Sequence, residues 1–277
     1  MPLIWPFCFG IAIVYKMAYT YKRKLPYQKG QTTPYSVSRS KVELYTQCQR
    51  CFWLEARQGI KRPNGPPFQI NKAIDELFKK EFDGYRVNKK PHPIMIEYKL
   101  DVLPFAHKQL DTWRNTFKGV RTIYEPANLE VFGGVDDVWV DADGALVVVD
   151  YKATAKPTEV SLDADWQQSY KRQLEVYQWL LRQNGFKVSN TGYFVYANAK
   201  FDGDSFNNSL TFTTKLIAHD GSDRWIEPTL IAMQNCLESG IPDVGDSIMG
   251  GPCEFCNFAK QRTQLTIDHL KQAKKLR

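Results

Sequence analysis

Long hydrophobic runs are missing from this 277-residue chain. The stretch PLIWPFCFGIAIVY, residues 2–15, is apolar but falls short of the ~20 residues that a typical membrane-spanning helix needs. Its basic cluster, YKRK, follows the apolar stretch, whereas a secretory signal peptide has the opposite order. We therefore expect a cytoplasmic protein without a membrane partner. Residues 1–16 remain either a weak membrane anchor or a stretch upstream of a true start at Met17, and we favour Met17.

Acidic residues are absent from the first 42 residues and nearly absent from the last 20. These two ends carry net charges of +7 and +5, whereas residues 43–257 carry −5. Basic ends suit a polyanionic partner such as nucleic acid, but solvated and partly disordered ends give the same charge pattern. On charge alone, both interpretations stay open.

Histidine is also scarce, and none of its four copies lies in a motif. Cysteine supplies a pattern instead, because four of the six cysteines form two C-x-x-C pairs, Cys48/Cys51 and Cys253/Cys256. Without an export signal, metal binding is favoured over disulfides. Four thiolates suit either tetrahedral Zn²⁺ or a [4Fe–4S] cluster, and the two-plus-two spacing alone favours zinc.

Helical and strand-like patterns alternate along the chain and predict an α/β fold with a central mixed sheet flanked by helices. In chain order we expect a helix with a capping box at Ser40 and Glu43, a helix over 70–85, a strand within 93–103, a short helix within 107–118, a hairpin of two strands over 129–140 and 145–152, a long helix ending at Gly185, strands over 191–197 and 210–217, and a helix over 226–240.

The predicted hairpin brings acidic side chains together with a lysine. Side chains alternate faces along a strand, so Asp150 and Lys152 lie on the same side. The partner strand offers Asp136 and Asp137, one of which meets them across the four-residue turn. Taken singly, each residue is more simply a solvated strand end, but the combination is much rarer. Two carboxylates beside a lysine make a site for a hard divalent cation such as Mg²⁺.

The segment GGVDDVWV…VVVDYKAT resembles the PD-(D/E)XK nuclease superfamily. It is similar, more narrowly, to RecB-like nucleases, including the CRISPR-associated RecB-like exonucleases. The resemblance implies a restriction-endonuclease-like core in which Asp136 and Asp150 bind Mg²⁺ or Mn²⁺. It further implies that the Tyr151 carbonyl is another ligand and that Lys152 is the catalytic lysine.

A second segment, RQLEVYQWLL, resembles the Q-x-x-x-Y motif of RecB-type nucleases at Gln173 and Tyr177. The two residues lie four apart, so they share one face of a helix. The resemblance implies that they position substrate and orient the lysine. Including the opening segment SVSRSKVELYTQCQRCFWL, the similarity runs from about Ser38 to Cys256.

Two features depart from the family pattern. Where the family commonly has a metal-binding histidine in the helix before the sheet, this chain offers Asp75, which is also a suitable Mg²⁺ or Mn²⁺ ligand. Relatives with a [4Fe–4S] cluster often have one early and three late cysteines, but here Arg262 stands at the third late position. The resemblance implies a cluster, which we place slightly ahead of zinc at Cys48, Cys51, Cys253 and Cys256.

Together these patterns predict a basic leader over 1–37, a nuclease domain over 38–257 whose terminal segments are tethered by the cysteines, and a basic tail over 258–277. The predicted function is metal-dependent hydrolysis of DNA, with no small-molecule substrate. Two other hypotheses stay open. One is an inactive, nuclease-derived DNA-binding module with a structural metal, and the other is a membrane-tethered protein that uses residues 1–16.

Overall fold

The computed structural model describes residues 25–65, 68–245 and 251–275. Within these ranges the strands are β1 (Tyr35–Ser38), β2 (Val102–Pro104), β3 (Val120–Tyr124), β4 (Leu129–Gly133), β5 (Asp137–Asp141), β6 (Leu146–Thr154), β7 (Thr191–Ala199) and β8 (Phe212–Asp220). The helices are α1 (Arg39–Gln47), α2 (Gln49–Gln58), α3 (Gln69–Val87), α4 (Pro93–Glu97), α5 (Leu110–Arg114), α6 (Gln168–Gln183), α7 (Ile226–Glu238) and α8 (Glu254–Lys275).

The strands form two sheets. The larger has the order β2-β5-β6-β7-β8 and is antiparallel except between β6 and β7, which α6 connects. A connection between parallel strands must cross over the sheet, and a helix is its usual form. The smaller sheet has the order β1-β4-β3. This architecture confirms the predicted α/β fold with a mixed sheet flanked by helices.

Strand β6 is buried on both faces and positions the charges that follow it. Val148 belongs to the apolar cluster on the α6 side of the sheet, whereas Val149 packs in a second cluster with Phe82 of α3. Because side chains alternate along a strand, Asp150 and Lys152 lie on the same side as Val148. The end of β6 therefore presents both charges to the helix that carries the Q-x-x-x-Y motif.

The prediction of one continuous strand over residues 129–140 is wrong. β4 ends at Gly133, β5 begins at Asp137, and the two strands lie in different sheets. The cause is the packing of the chain at Gly133, where an added Cβ would lie only 2.6 Å from Cε1 of Tyr177. The backbone passes beneath this ring and then enters the larger sheet, so only β5 forms the hairpin with β6.

The predicted capping box is also wrong. Helix α1 follows β1 directly, with Ser38 as its N-cap and no side-chain capping hydrogen bond, so Ser40 lies inside the helix. The Glu43 carboxylate does not turn back to the helix start. It receives two hydrogen bonds from Arg172 of α6, at 2.8 and 2.7 Å, and thereby joins the two helices.

Both ends of the chain continue the fold as far as the structure describes them. β1 includes the last residues of the predicted leader, and α8 includes most of the predicted basic tail as a helix. Met17 and the apolar stretch before it lie outside the described residues. Among the helices of the described ranges, none combines the length and apolarity needed to cross a membrane.

Candidate active site and cysteine centre

Asp150 and Lys152 meet at the end of β6. The Asp150 side chain is fully buried, and its Oδ2 forms an ion pair with Nζ of Lys152. The lysine also lies over the ring of Tyr170, with Nζ 4.6 Å from the ring centroid. Burial by itself lowers the pKa of Lys152, but the negative charges of Asp150 and Asp136 outweigh it and raise the pKa above its ordinary value. The lysine is therefore a cation here.

Asp136 completes a group that we call the acidic centre, namely Asp136, Asp150 and Lys152. The register pairs Asp137 with Val149, which brings the preceding residue next to Asp150. Oδ2 of Asp136 accepts a hydrogen bond from the Tyr151 backbone N–H at 3.0 Å. Burial, together with the negative charge of Asp150, raises the pKa of Asp136 to about 7. The two carboxylates thus lie close enough to repel each other.

A buried oxygen without a hydrogen-bond partner indicates that the acidic centre can bind a cation. Oδ1 of Asp150 is buried and has no hydrogen-bond partner among the described residues. A buried carboxylate oxygen without a partner is costly, and two repelling carboxylates add to that cost. A divalent cation relieves both, and oxygen ligands are those that Mg²⁺ and Mn²⁺ prefer. Asp136 and Asp150 therefore fit such an ion.

Asp75 lies near this group but is engaged differently. Its Oδ2 accepts a 2.6 Å hydrogen bond from Lys79, one turn along α3, while its Oδ1 is buried without a partner in the described structure. Burial and the charge of Asp136 raise its pKa. Within the described ranges, however, only the cysteines form a group of three or more potential ligands whose atoms all lie within 4.8 Å of one another. Asp75 is therefore adjacent to the acidic centre rather than part of a tight carboxylate trio.

Gln173 and Tyr177 lie on the buried face of α6. Nε2 of Gln173 donates a 3.1 Å hydrogen bond to Oη of Tyr177, as their four-residue spacing predicts. Burial raises the pKa of Tyr177, and the charges of Asp136 and Asp150 add to the effect, whereas Arg39 opposes it. The structure therefore brings both residues of the motif beside the acidic centre.

A network of arginines lies on the opposite side of the sheet. Asp137 is fully buried and accepts hydrogen bonds from the guanidinium groups of Arg86 and Arg114 and, at 2.8 Å, from the Tyr151 hydroxyl. Arg114 also binds both oxygens of Asp83 at 2.9 Å and the carbonyl of Asp136 at 3.1 Å. The network therefore fixes the backbone on which the acidic centre is built.

Sequence reasoning missed this network because its members are far apart in the chain. Arg86 and Arg114 lie 51 and 23 residues before Asp137. The doubled aspartate was the available signal. Side chains of consecutive residues point to opposite faces, so one carboxylate faces α6 and the other needs partners on the α3 side.

The four cysteines come together from the two ends of the described chain. The Sγ–Sγ distances are 3.8 Å for Cys48–Cys256, 3.7 Å for Cys51–Cys253 and 3.5 Å for Cys51–Cys256. All four side chains are buried. We call this group the cysteine centre, and it confirms the predicted tethering of the N- and C-terminal segments.

Local geometry prepares the cysteine centre for a cation. Cys48 is the N-cap of α2, and its Sγ accepts a hydrogen bond from the Cys51 backbone N–H. Burial raises the pKa of Cys48, but this bond and a second one from the Gly245 backbone outweigh it and lower the pKa to about 7. Arg62 donates from Nη2 to Sγ of Cys253 at 3.4 Å. Burial instead raises the pKa of Cys51 to about 11 and raises the pKa of Cys256 still further. The geometry therefore favours the thiolate, the form that binds metals, at Cys48, and a cation at the centre would favour it at the other cysteines.

Comparisons with known proteins agree with this geometry at the level of the family. The PD-(D/E)XK nuclease superfamily matches residues 66–261, a range that holds the whole acidic centre and the second cysteine pair. No curated protein matches the chain. Six solved chains match, among them one described as the crystal structure of SSO0001. It is 14% identical, and the match covers 72% of this chain and 73% of that chain with a TM-score of 0.30.

Proposed function

This chain belongs to the PD-(D/E)XK nuclease superfamily, and on that premise we propose that it is a metal-dependent nuclease that hydrolyses phosphodiester bonds of DNA. One observation carries the proposal, which is the convergence of Asp136 and Asp150 beside Lys152, with a buried Asp150 oxygen that has no partner in the described structure. The hydrogen-bonded pair of Gln173 and Tyr177 supports the narrower assignment as a RecB-like nuclease.

The residues divide the work as follows. Asp136 and Asp150 hold Mg²⁺ or Mn²⁺, which when bound stabilises the charge that develops on the scissile phosphate. Lys152 balances the two carboxylates and donates hydrogen bonds to the attacking water or to the phosphate. Tyr177 and Gln173 limit the positions open to the lysine. Asp75 would add a further oxygen ligand through its Oδ1, which has no partner in the described structure, only after a shift of its side chain, because it is adjacent to the pair rather than part of a tight trio.

For the cysteine centre we propose one structural metal. Two thiolates bound tetrahedrally at ~2.3 Å lie about 3.8 Å apart. Three of the six Sγ–Sγ distances are 3.5–3.8 Å, and all four sulfurs lie within 4.8 Å of one another. This spacing supports Zn²⁺. A [4Fe–4S] cluster is the alternative, and it places a different iron at each sulfur. Anaerobic purification separates the two, because the cluster is brown with absorbance near ~400 nm whereas the zinc protein is colourless. Cysteines that bind a metal instead of forming disulfides also suit a reducing compartment such as the cytoplasm.

The nuclease proposal is tested with linear and circular DNA, single- and double-stranded, in Mg²⁺, Mn²⁺ or EDTA. We expect cleavage that needs the metal, acts on linear DNA and is lost in Lys152→Ala. Absence of cleavage by correctly folded, metal-supplied protein on every substrate would overturn the nuclease proposal. DNA binding that persists in that case would favour the inactive, DNA-binding alternative.

A further inference from the structure

A trough runs along the outside of the cysteine centre. Its larger part is a cavity of about 670 Å³ between α2, the segment after it and the start of α8. A second cavity of about 370 Å³ adjoins it on the α1 side. The two share Lys61, Arg62 and Pro63, so they form one continuous depression. We refer to both cavities together as the trough.

Positive charge dominates the larger cavity. Its charged lining residues are all basic, namely Arg50, Lys61, Arg62, Lys260 and Arg262. Arg62 already donates hydrogen bonds to Sγ of Cys253 and Oε1 of Gln47, whereas no carboxylate of the described residues lines this cavity. This is unusual in a chain whose residues 43–257 carry a net negative charge. Clustered cations without carboxylates favour a polyanion.

Among the described residues that line the trough, carboxylates occur only towards its α1 end. Glu43 and Glu55 line the smaller cavity. Each already has a basic partner, since Glu43 binds Arg172 and Glu55 lies 3.6 Å from Lys41. These acidic side chains therefore do not neutralise the basic lining of the larger cavity.

Apolar side chains line the same cavity and indicate what the polyanion carries. Phe258 is 68% exposed and Ile60 is 59% exposed, while Phe255 stacks against the Arg62 guanidinium at 4.6 Å from the ring centroid. Exposed aromatic rings among cations are the features with which proteins hold single-stranded nucleic acid, because unpaired bases stack on the rings. A duplex hides those base faces, so the apolar lining favours a single strand.

The trough leads from the cysteine centre towards the acidic centre. At its α1 end lies Glu43, and the partner of Glu43 is Arg172, the residue before Gln173 of the Q-x-x-x-Y motif. A strand held at Phe258 and guided along the shared residues Lys61 and Arg62 therefore arrives at the helix that borders the acidic centre.

We propose that the trough binds a single strand of nucleic acid, with phosphates on Lys61, Lys260 and Arg262 and a base on Phe258. This inference deepens the proposed function and rests on it for the biological role of the strand. It does not rest on cleavage, because binding at the trough uses none of the acidic centre's residues.

The test measures binding in the Lys152→Ala protein, in EDTA, so that no cleavage intervenes. The probes are fluorescent 20-mers of deoxythymidylate and uridylate and a duplex of the same length, titrated over a range of salt concentrations. We expect single strands to bind more tightly than the duplex. Comparing the two single strands shows whether DNA or RNA is preferred, and equal binding of both supports a backbone-and-base site.

Variants localise the site. Replacing Lys260 and Arg262 together by alanine removes two phosphate contacts, so the salt slope of single-strand binding falls by about 1.4 and affinity falls roughly tenfold. The matched control is the double alanine variant at Lys271 and Lys274, which are on the same helix but outside the trough lining. Its affinity should change less than about twofold. Equal losses of affinity in the two double variants would overturn the proposal that the trough binds the strand.

Stacking is tested at one position. Phe258→Ala should weaken single-strand binding about tenfold, whereas Phe258→Tyr keeps a ring and should bind nearly as the parent does. Phe258 is mostly exposed, so neither change disturbs the core. Unchanged binding by Phe258→Ala overturns the base contact.

The two proposals fail separately. If the wild type cleaves DNA and the trough variants bind single strands as tightly as the parent does, the trough proposal is wrong and the nuclease proposal stands. If the trough variants lose single-strand binding but no metal condition gives cleavage, the nuclease proposal is wrong and the single-strand binding site stands.

Discussion

The acidic centre and the cysteine centre differ in how the chain brings their side chains together. Both gather groups that repel one another when ionised. The acidic centre takes Asp150 and Lys152 from β6 and Asp136 from the position immediately before β5, a span of 17 residues, and the β5–β6 hairpin sets every position. The cysteine centre joins residues more than 200 positions apart, and no strand pairing aligns them. The first is held in place by the fold, whereas the second helps to hold the fold.

This difference implies different sensitivities. Loss of an acidic-centre side chain should spare the fold and remove chemistry, because the sheet and the arginine network stay in place. Loss of a cysteine should release metal and loosen the contact of α2 with α8. Five substitutions test this contrast.

Cys253→Ser should lower the metal content and the free energy of unfolding by several kcal/mol, because structural zinc sites contribute apparent binding free energies of about 10–16 kcal/mol. Elemental analysis and denaturant unfolding measure the two quantities. Cys236→Ala is the control, since Cys236 is buried outside the centre and should leave the metal bound. A serine variant with full metal content and unchanged stability would show that the cysteine centre does not stabilise the fold.

Lys152→Ala should reduce the cleavage rate by about 10²–10⁴-fold, the usual contribution of a positioned proton-transfer or hydrogen-bonding group. The fold should persist, but the thermal midpoint should fall, because the fully buried Asp150 loses its ion-pair partner. Lys187→Ala, near the opposite end of β6, is the control for lost charge. Cleavage at the wild-type rate would show that the catalytic assignment is wrong.

Two adjacent aspartates sharpen the contrast further. Asp137→Asn should lower the free energy of unfolding by about 3 kcal/mol, because it leaves the charges of Arg86 and Arg114 without their central carboxylate. Asp136→Asn should abolish metal-dependent cleavage while leaving stability unchanged or raised, since one of two repelling carboxylates is removed. Urea unfolding and a cleavage assay measure both outcomes. If the two variants behave alike, the division of roles between the faces of the sheet is incorrect.

The smallest effect concerns the link between the two centres. Burial raises the pKa of Glu43, but hydrogen bonds and positive charge from Arg172 outweigh it and hold the pKa below its ordinary value. A depressed carboxyl pKa adds stability above the unfolded value of about 4.3, and this stability disappears as pH falls through the folded value. Glu43→Gln should thus be less stable than wild type at pH 7, and the difference should vanish below about pH 4. A constant difference across this range would exclude the ion pair as its cause.

The residues of the acidic centre were predictable because their positions follow from local rules. Alternation along β6 places Asp150 and Lys152 together, and the short turn brings one of Asp136 and Asp137 opposite. The choice of Asp136 came from the family resemblance. A four-residue helical spacing joins Gln173 to Tyr177. The clustering of the cysteines followed from ligand counting, since neither pair alone completes a four-ligand site.

What escaped prediction depends on contacts between distant residues. The chain leaves the smaller sheet at Gly133 because the Tyr177 ring occupies the space of a side chain, and no local pattern reveals that ring. Glu43 fitted a capping box by spacing, yet Arg172 lies 129 residues away and takes its carboxylate. The trough forms because α8 is a helix that packs against α2. The sequence of α8 alone predicts only a basic C-terminal segment.

The separation of the cysteine pairs along the chain also sets a timetable for making the protein. Cys256 is synthesised 205 residues after Cys51, which at ~5–20 residues per second takes about 10–40 s. Strands β2 to β8 and the acidic centre are synthesised within that interval, and the last strand ends at Asp220, before the second cysteine pair appears. A metal held by all four cysteines would therefore bind after the sheet has been synthesised, and until then Cys48 and Cys51 would be open to a competing metal or oxidant.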